Sequence, residues 1–172
     1  MRIVTRSVEE TLGVGRLIGR LAPAGQSVCV ALDGELGAGK TQLTRGIAEG
    51  AGVADVGLVS SPTYVLLNVY PAGESGKTVY HLDAYRIAGE EEFAGGGVGF
   101  EELLNDQEGG LVVVEWARRV EHLLPADRIQ VALQHGQEEG TRELTVEGLG
   151  ERSRLLVDQL RELLQLRGSG GG

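Results

Sequence analysis

The chain has 172 residues, of which 41% are apolar and 24% charged, a balance typical of one globular domain. Its net charge of −9 argues against direct binding to nucleic acid, which depends on a basic surface. No stretch is apolar for long enough to span a membrane, and the first residues lack the apolar core of a signal peptide. The single cysteine, Cys29, excludes an internal disulfide, and together these features predict a cytoplasmic protein.

The first part of the chain carries helical and strand patterns on either side of a glycine-rich turn. Ser7 and Glu10 have the spacing of a capping box and predict the start of a helix, which Pro23 ends. Residues 28–32 are continuously apolar, which predicts a strand buried on both faces. After the turn, residues 40–50 predict a second helix.

The rest of the chain predicts two hairpins, another buried strand and two more helices. In chain order these are a hairpin of 63–70 and 78–85, a strand at 111–116, a helix at 117–125, a hairpin of 128–135 and 141–148, and a helix at 151–166. Residues 88–110 are rich in glycine and glutamate and predict a mobile loop around a short helix.

The glycine-rich turn has the pattern of a phosphate-binding loop. Gly34, Gly39, Lys40 and Thr41 fit G-x-x-x-x-G-K-[ST]. Glycines allow successive main-chain N–H groups to turn around an anionic oxygen, and the helix that starts here directs its positive end toward the same place. The lysine can reach the β- and γ-phosphates of a nucleotide, and the hydroxyl can bind Mg²⁺. We therefore interpret the turn as a P-loop.

Two carboxylates follow predicted strands. Glu115 ends a buried strand and would leave the sheet at the edge that carries the loop, which favours a functional role such as metal binding. Asp83 is open to two interpretations: a functional carboxylate, or an ordinary strand-end acid paired with Arg86. We predict an α/β fold: a single P-loop NTPase-like domain at 1–167, with a central mostly parallel sheet, antiparallel hairpin additions and flanking helices, before a disordered tail at 168–172.

Four stretches in this order and at these intervals resemble the TsaE family: "GELGAGKT", "SSPTYVLLNVY", "VYHLDAYRI" and "VVVEW". The similarity covers about residues 5–145, and TsaE is the ATPase component of bacterial tRNA threonylcarbamoyladenosine synthesis. The resemblance implies a protein that binds ATP with Mg²⁺, hydrolyses it slowly and attaches to a heterodimer of TsaB and TsaD. Hydrolysis would support threonylcarbamoyl transfer to the adenosine next to the anticodon, with tRNA contacted only through the complex.

The resemblance also implies roles for individual residues. Lys40, Asp83 and Glu115 would act in catalysis, with Asp83 either beside the metal or orienting water. Thr41 and Glu115 would bind Mg²⁺, and Arg142 would lie near the nucleotide. The phosphate cradle would consist of Gly37, Ala38, Gly39, Lys40, Thr41 and Gln42.

Further segments are implied to respond to the nucleotide or to contact it. Ser61, Thr63 and Tyr64 would belong to a loop that senses the γ-phosphate, and residues 81–86 to a second such loop. The backbone near Val8 would contact the base. The chain departs from the family in having Ala117 after the "EW" pair, where proline is usual, and "FAGGGVGF" in the loop after residue 92. These departures concern partner contacts and loop order more than ATP binding.

Three other functions share parts of this pattern. A small-molecule or nucleoside kinase would need an arginine-rich lid, and the only candidate lid, residues 88–110, contains no arginine. A GTP-dependent switch would read guanine with N-K-x-D, which does not occur in the chain. An ATP-binding scaffold with residual turnover is close to the first interpretation. Among single residues, His81 is interpreted as a hydrogen-bonded structural residue and Trp116 as a packing aromatic that can report on nucleotide.

Overall fold

The computed structural model describes residues 1–23, 25–60, 67–73, 76–86 and 109–169. The helices and strands of these residues are β1 Arg2–Thr5, α1 Val8–Leu21, β2 Val28–Gly34, α2 Lys40–Ala51, β3 Leu67–Tyr70, β4 Thr78–Asp83, β5 Gly110–Glu115, β6 Ile129–His135, β7 Arg142–Gly148 and α3 Glu151–Ser169. Two 3₁₀ segments, Val56–Leu58 and Ala117–Leu123, follow α2 and β5.

The strands of the described residues form one sheet in the order β1-β7-β6-β2-β5-β4-β3. The four central strands β6, β2, β5 and β4 pair in parallel. The pairs β1–β7, β6–β7 and β3–β4 are antiparallel. This arrangement confirms the predicted α/β fold, with parallel central strands and a hairpin at each side.

The buried central strands contribute side chains to two cores, one on each face of the sheet. On one face, Val30 and Leu32 of β2 belong to a core that also contains residues of α1, α2 and α3. On the other face, Cys29 and Ala31 pack against residues that include Val120 of the second 3₁₀ segment. Burial raises the pKa of the Cys29 thiol to about 12, so this cysteine is a small core residue rather than a reactive thiol.

The first helix begins and ends where its sequence predicts. The Ser7 hydroxyl accepts the Glu10 main-chain N–H at 3.1 Å, and the Glu10 carboxylate accepts the main-chain N–H of Arg6 at 2.8 Å. The first N–H groups of a helix have no acceptor within the helix. The Ser7 and Glu10 side chains supply acceptors for the main-chain N–H groups of Glu10 and Arg6 at this end. The helix ends at Leu21, two residues before Pro23, whose ring cannot continue it. Within the described residues, no helix is both long and apolar enough to cross a membrane.

Three features of the structure differ from the sequence-based expectations. The first strand, β1, was not predicted; it is four residues long and is held at the sheet edge by pairing with β7. The helix predicted at 117–125 is a 3₁₀ segment interrupted at Val120, where φ of −126° is not helical. The last helix continues through Gly168 and Ser169, which were assigned to the tail. Residues 170–172 and most of the predicted loop at 88–110 lie outside the described residues.

Candidate functional site

Three carboxylates meet at one edge of the sheet. Asp33, Asp83 and Glu115 lie at the carboxyl ends of β2, β4 and β5, three adjacent parallel strands, and Asp83 is directly paired in register with Glu115. We call them the edge carboxylates. Their exposed fractions are only 6%, 5% and 2%. Because buried negative charge is costly without donors or cations nearby, this edge is suited to a positively charged ligand or ion.

The glycine-rich turn, residues 34–41, lies at the same edge and is here called the glycine loop. Gly37 and Gly39 have φ of +77° and +103°, a backbone conformation that favours glycine and that turns successive N–H groups toward an anion. Gly39 precedes α2 and has no side chain to cap it, and among the described residues no side-chain cap hydrogen bond is present at the start of this helix. The turn therefore has the backbone of an anion-binding loop.

A cavity of about 410 Å³ opens beside the glycine loop. It brings together most of the residues predicted for the site: Gly37, Gly39, Lys40, Thr41, Gln42, Asp83 and Glu115. Ala38 differs, since its side chain is fully buried in the core and can contribute only its backbone. Leu36, Tyr85 and Trp116 are the other described residues of the lining.

Lys40 interacts with the loop that carries it. Its ammonium donates to the carbonyl oxygens of Gly34 at 2.7 Å and Glu35 at 2.9 Å, and it lies 3.9 Å from the ring centroid of Trp116. Burial lowers the pKa of Lys40, and the negative charge of the edge carboxylates opposes that shift. Carbonyl and aromatic contacts therefore hold the ammonium at the wall of the cavity.

Thr41 and Glu115, the predicted metal ligands, are in direct contact. The Thr41 hydroxyl lies 3.0 Å from Oε1 and 3.3 Å from Oε2 of the Glu115 carboxylate, so it can donate to either oxygen. His81 reaches the same carboxylate from β4, with its Nε2 at 2.8 Å from Oε1. These contacts hold Glu115 from two elements that are distant in the sequence.

Asp83 and Arg142 also lie at the site. The Asp83 carboxylate accepts the main-chain N–H of Tyr85 at 2.9 Å, which fixes the carboxylate at the end of its strand. Arg142, the first residue of β7, extends toward the glycine loop and donates to Gly37 O at 3.4 Å and to Thr141 O at 2.8 Å. Asp83 thus lies in the lining of the cavity and Arg142 next to the glycine loop.

Other predicted residues are not placed at the cavity. Ser61, Thr63 and Tyr64 lie outside the described residues. Val8 is an exposed residue at the start of α1, and it is absent from the described residues that line the cavity.

The sequence analysis missed the contacts of two residues. Trp116 has φ of +59°, which is rare for a bulky side chain. Its ring contacts the Lys40 ammonium and the ring of Tyr85, whose centroid is 4.9 Å away. Asp33 accepts the Gln130 side-chain amide at 2.7 Å and the main-chain N–H of Arg118 at 3.0 Å. Both were detectable from position alone, since Trp116 follows Glu115 and Asp33 precedes the glycine loop.

The sheet order and the strand–glycine loop–helix unit define an α/β protein with a glycine-rich loop at the carboxyl edge of its parallel strands. The profile of the family described as "Threonylcarbamoyl adenosine biosynthesis protein TsaE" matches residues 5–144. The chain therefore belongs to the TsaE family, as the resemblance of its motifs predicted.

Individual relatives support the same assignment over most of the chain. Three proteins named "tRNA threonylcarbamoyladenosine biosynthesis protein TsaE" are similar to it. The protein of Bacillus subtilis (strain 168) is 35% identical, covering 91% of this chain and 90% of its own. Those of Treponema pallidum (strain Nichols) and Streptomyces coelicolor are 38% and 40% identical, covering 85% and 81% of this chain and 99% and 90% of their own. The crystal structure of Bacillus subtilis YdiB is 30% identical, with a TM-score of 0.75 and 94% of each chain covered.

Proposed function

We propose that this protein is a Mg²⁺-dependent ATPase that acts in tRNA threonylcarbamoyladenosine biosynthesis together with TsaB and TsaD. The observation that carries the proposal is the contact of Thr41 with Glu115 at 3.0 Å, in the cavity that Lys40 also lines. A phosphate-binding loop, a cation and two oxygen ligands for a metal thereby share one cavity. Membership of the TsaE family supports the biosynthetic role.

The residues of the cavity fit a triphosphate and a magnesium ion. The glycine loop and the start of α2 offer main-chain N–H groups, and Lys40 offers a positive charge, which together suit phosphate oxygens. The Thr41 hydroxyl and the Glu115 carboxylate are the hard oxygen ligands that Mg²⁺ prefers. Mg²⁺ commonly takes only one or two ligands from the protein and completes its shell with waters and phosphates.

Each side chain has a distinct task in this mechanism. Lys40 and the main-chain donors of the loop stabilise negative charge on the phosphates during transfer to water. Asp83, fixed by its bond from Tyr85, either orients the attacking water or supports the metal side. Arg142 reaches the loop from β7 and adds positive charge there. Thr41 and Glu115 would hold Mg²⁺, which would supply positive charge to stabilise the charge on the phosphates.

We further propose that the protein contacts tRNA only through its partners and works in the cytoplasm. The net charge of −9 disfavours independent binding to a polyanion. Filter binding of free tRNA at physiological salt should therefore detect no complex with the isolated protein. A pull-down with TsaB and TsaD, with and without ATP and followed by an assay of tRNA modification, tests the partners.

The decisive experiment measures nucleotide binding by calorimetry for wild type and Lys40→Ala. Removing the ammonium should lower the affinity for Mg–ATP on the order of 100-fold, because a charge-assisted hydrogen bond contributes about 1.5–3 kcal/mol. Lys77→Ala is the matched control. Lys77 is the only other lysine, and its ammonium donates to Gly19 O at the α1–α2 side of the molecule.

A second variant separates the metal from the nucleotide. Glu115→Gln should retain binding of ATP without metal and lose Mg²⁺-dependent turnover, because it removes the charge of the proposed metal ligand. Undiminished Mg–ATP binding in Lys40→Ala would contradict the proposal that Lys40 and the glycine loop bind the phosphates. Unchanged turnover in Glu115→Gln would contradict the proposal that Glu115 binds Mg²⁺.

A further inference from the structure

We infer that His81 is a positioning residue for the proposed Mg²⁺ site, because it holds the Glu115 carboxylate in place through its Nε2. The inference rests on the proposed function and assigns a further residue to it. His81 Nε2 lies 2.8 Å from Glu115 Oε1, a full hydrogen-bond distance. His81 is fully buried and the Glu115 side chain is 3% exposed, so water does not compete for this bond.

The direction of the bond follows from the chemistry of the two groups. An ionised carboxylate only accepts hydrogen bonds, so the imidazole must carry its hydrogen on Nε2. Within the described part of the chain, Nδ1 of His81 is buried and has no hydrogen-bond partner. An N–H group at Nδ1 would be left unpaired there, whereas a bare acceptor nitrogen is less costly. Both observations favour the tautomer with hydrogen on Nε2.

The strand geometry makes His81 a rigid support. His81 and Asp83 lie on the same face of β4, two residues apart, and β4 pairs in parallel with β5, which carries Glu115. Leu32 of β2 pairs with Glu115 on the other side of β5, so the backbone of Glu115 is fixed within the sheet. The side chain is then oriented by Thr41 from α2 and His81 from β4. Residues that form hydrogen bonds with a metal-binding carboxylate keep it in a single orientation.

A purely structural histidine would fill the same space without affecting metal binding. The test therefore compares metal affinity in variants with and without a donor at the Nε2 position. His81→Phe keeps an aromatic ring and removes the donor, whereas His81→Gln supplies an amide N–H of similar reach. Val79→Ala is the matched control, since Val79 is fully buried on the same face of β4 and is not among the hydrogen-bond partners of Glu115.

The probe is Mn²⁺ in the presence of ADP, with bound and free metal counted by electron paramagnetic resonance. His81→Phe should weaken Mn²⁺ binding about 10- to 100-fold, the usual effect of removing an outer partner of a metal ligand. ADP affinity measured in a chelator should stay unchanged. His81→Gln should recover most of the metal affinity, and Val79→Ala should lower the unfolding temperature without weakening Mn²⁺ binding.

A measurement on the wild-type protein keeps the inference testable if His81→Phe does not fold. Nitrogen-15 spectra of the imidazole should show hydrogen on Nε2 and none on Nδ1. The opposite tautomer, or equal Mn²⁺ affinity in His81→Phe and wild type, overturns the inference. Equal losses in His81→Phe, His81→Gln and Val79→Ala also overturn it, because they indicate a general effect of stability. Wild-type protein that binds no Mn²⁺–ADP contradicts the proposed function instead.

Discussion

Helices α1 and α2 pack so closely that a single added methyl group should force them apart. An alanine Cβ at Gly15 of α1 would lie 2.4 Å from Leu43 O and 2.8 Å from Ile47 N of α2. Ordinary contacts of a Cβ begin at about 3.4 Å, so the shortfall to the oxygen is about 1 Å. The obstructing atoms belong to the backbone, so no side-chain rotation can relieve the overlap.

The expected cost of Gly15→Ala follows from two opposing effects. Overpacking costs about 1–3 kcal/mol, and contact with a rigid backbone corresponds to the upper end. Alanine gains about 1 kcal/mol over glycine in the interior of a helix. The net loss in the free energy of unfolding should therefore be about 2 kcal/mol.

Gly13 provides the control within the same helix. A Cβ built there meets no atom within 4 Å, so Gly13→Ala should stabilise the protein by up to about 1 kcal/mol. The two variants should thus differ by about 3 kcal/mol, or about 6 to 12 °C in unfolding temperature for a domain of this size. Urea unfolding, followed by circular dichroism and by the fluorescence of the single Trp116, measures the difference. If Gly15→Ala is as stable as Gly13→Ala, α1 and α2 do not pack as closely at Gly15 as the structure shows.

Three further outcomes are expected. Arg142→Ala should weaken Mg–ATP binding about tenfold in calorimetry, since it removes a cation at the glycine loop; equal affinity would exclude a role in binding. The Cys29 thiol, whose pKa burial raises to about 12, should react with a thiol reagent at pH 8 only as fast as the protein opens, and rapid labelling of native protein would contradict its burial. Asp127→Ala should cost about 1 kcal/mol in urea unfolding, because Asp127 accepts the Ser153 N–H near the start of α3 at 3.0 Å; an unchanged midpoint would show that this cap contributes nothing.

Local patterns in the sequence were sufficient to predict the elements that build the site. The apolar run at 28–32, the glycine loop and the helix after Lys40 each depend on neighbouring residues, and the structure reproduces all three. The common edge of the strands that carry Glu115 and the loop follows from parallel pairing, which buried apolar strands favour.

Features that depend on distant residues were not predictable in the same way. The bond between His81 and Glu115 spans 34 positions and depends on β4 and β5 being neighbours. Strand β1 is stabilised by β7, at the other end of the chain. The helix expected after Trp116 fails because that residue adopts a left-handed conformation, and Val120 then interrupts the turns that follow. Helical spacing in the sequence carries no information about such backbone angles.

The charges at the sheet edge indicate how metal binding would affect the affinity of the site for a nucleotide. Among the described residues that line the cavity, the two edge carboxylates Asp83 and Glu115 stand against the ammonium of Lys40, with Arg142 at the glycine loop outside this lining, so a metal-free triphosphate would bring negative charge close to two carboxylates. Mg²⁺ bound by Thr41 and Glu115 would reverse this repulsion, because it brings two positive charges to the point where carboxylate and phosphate meet. On this argument the buried Glu115, held by His81, would make nucleotide binding stronger with the metal than without it, and the glycine loop and Lys40 would supply the weaker affinity that remains without metal.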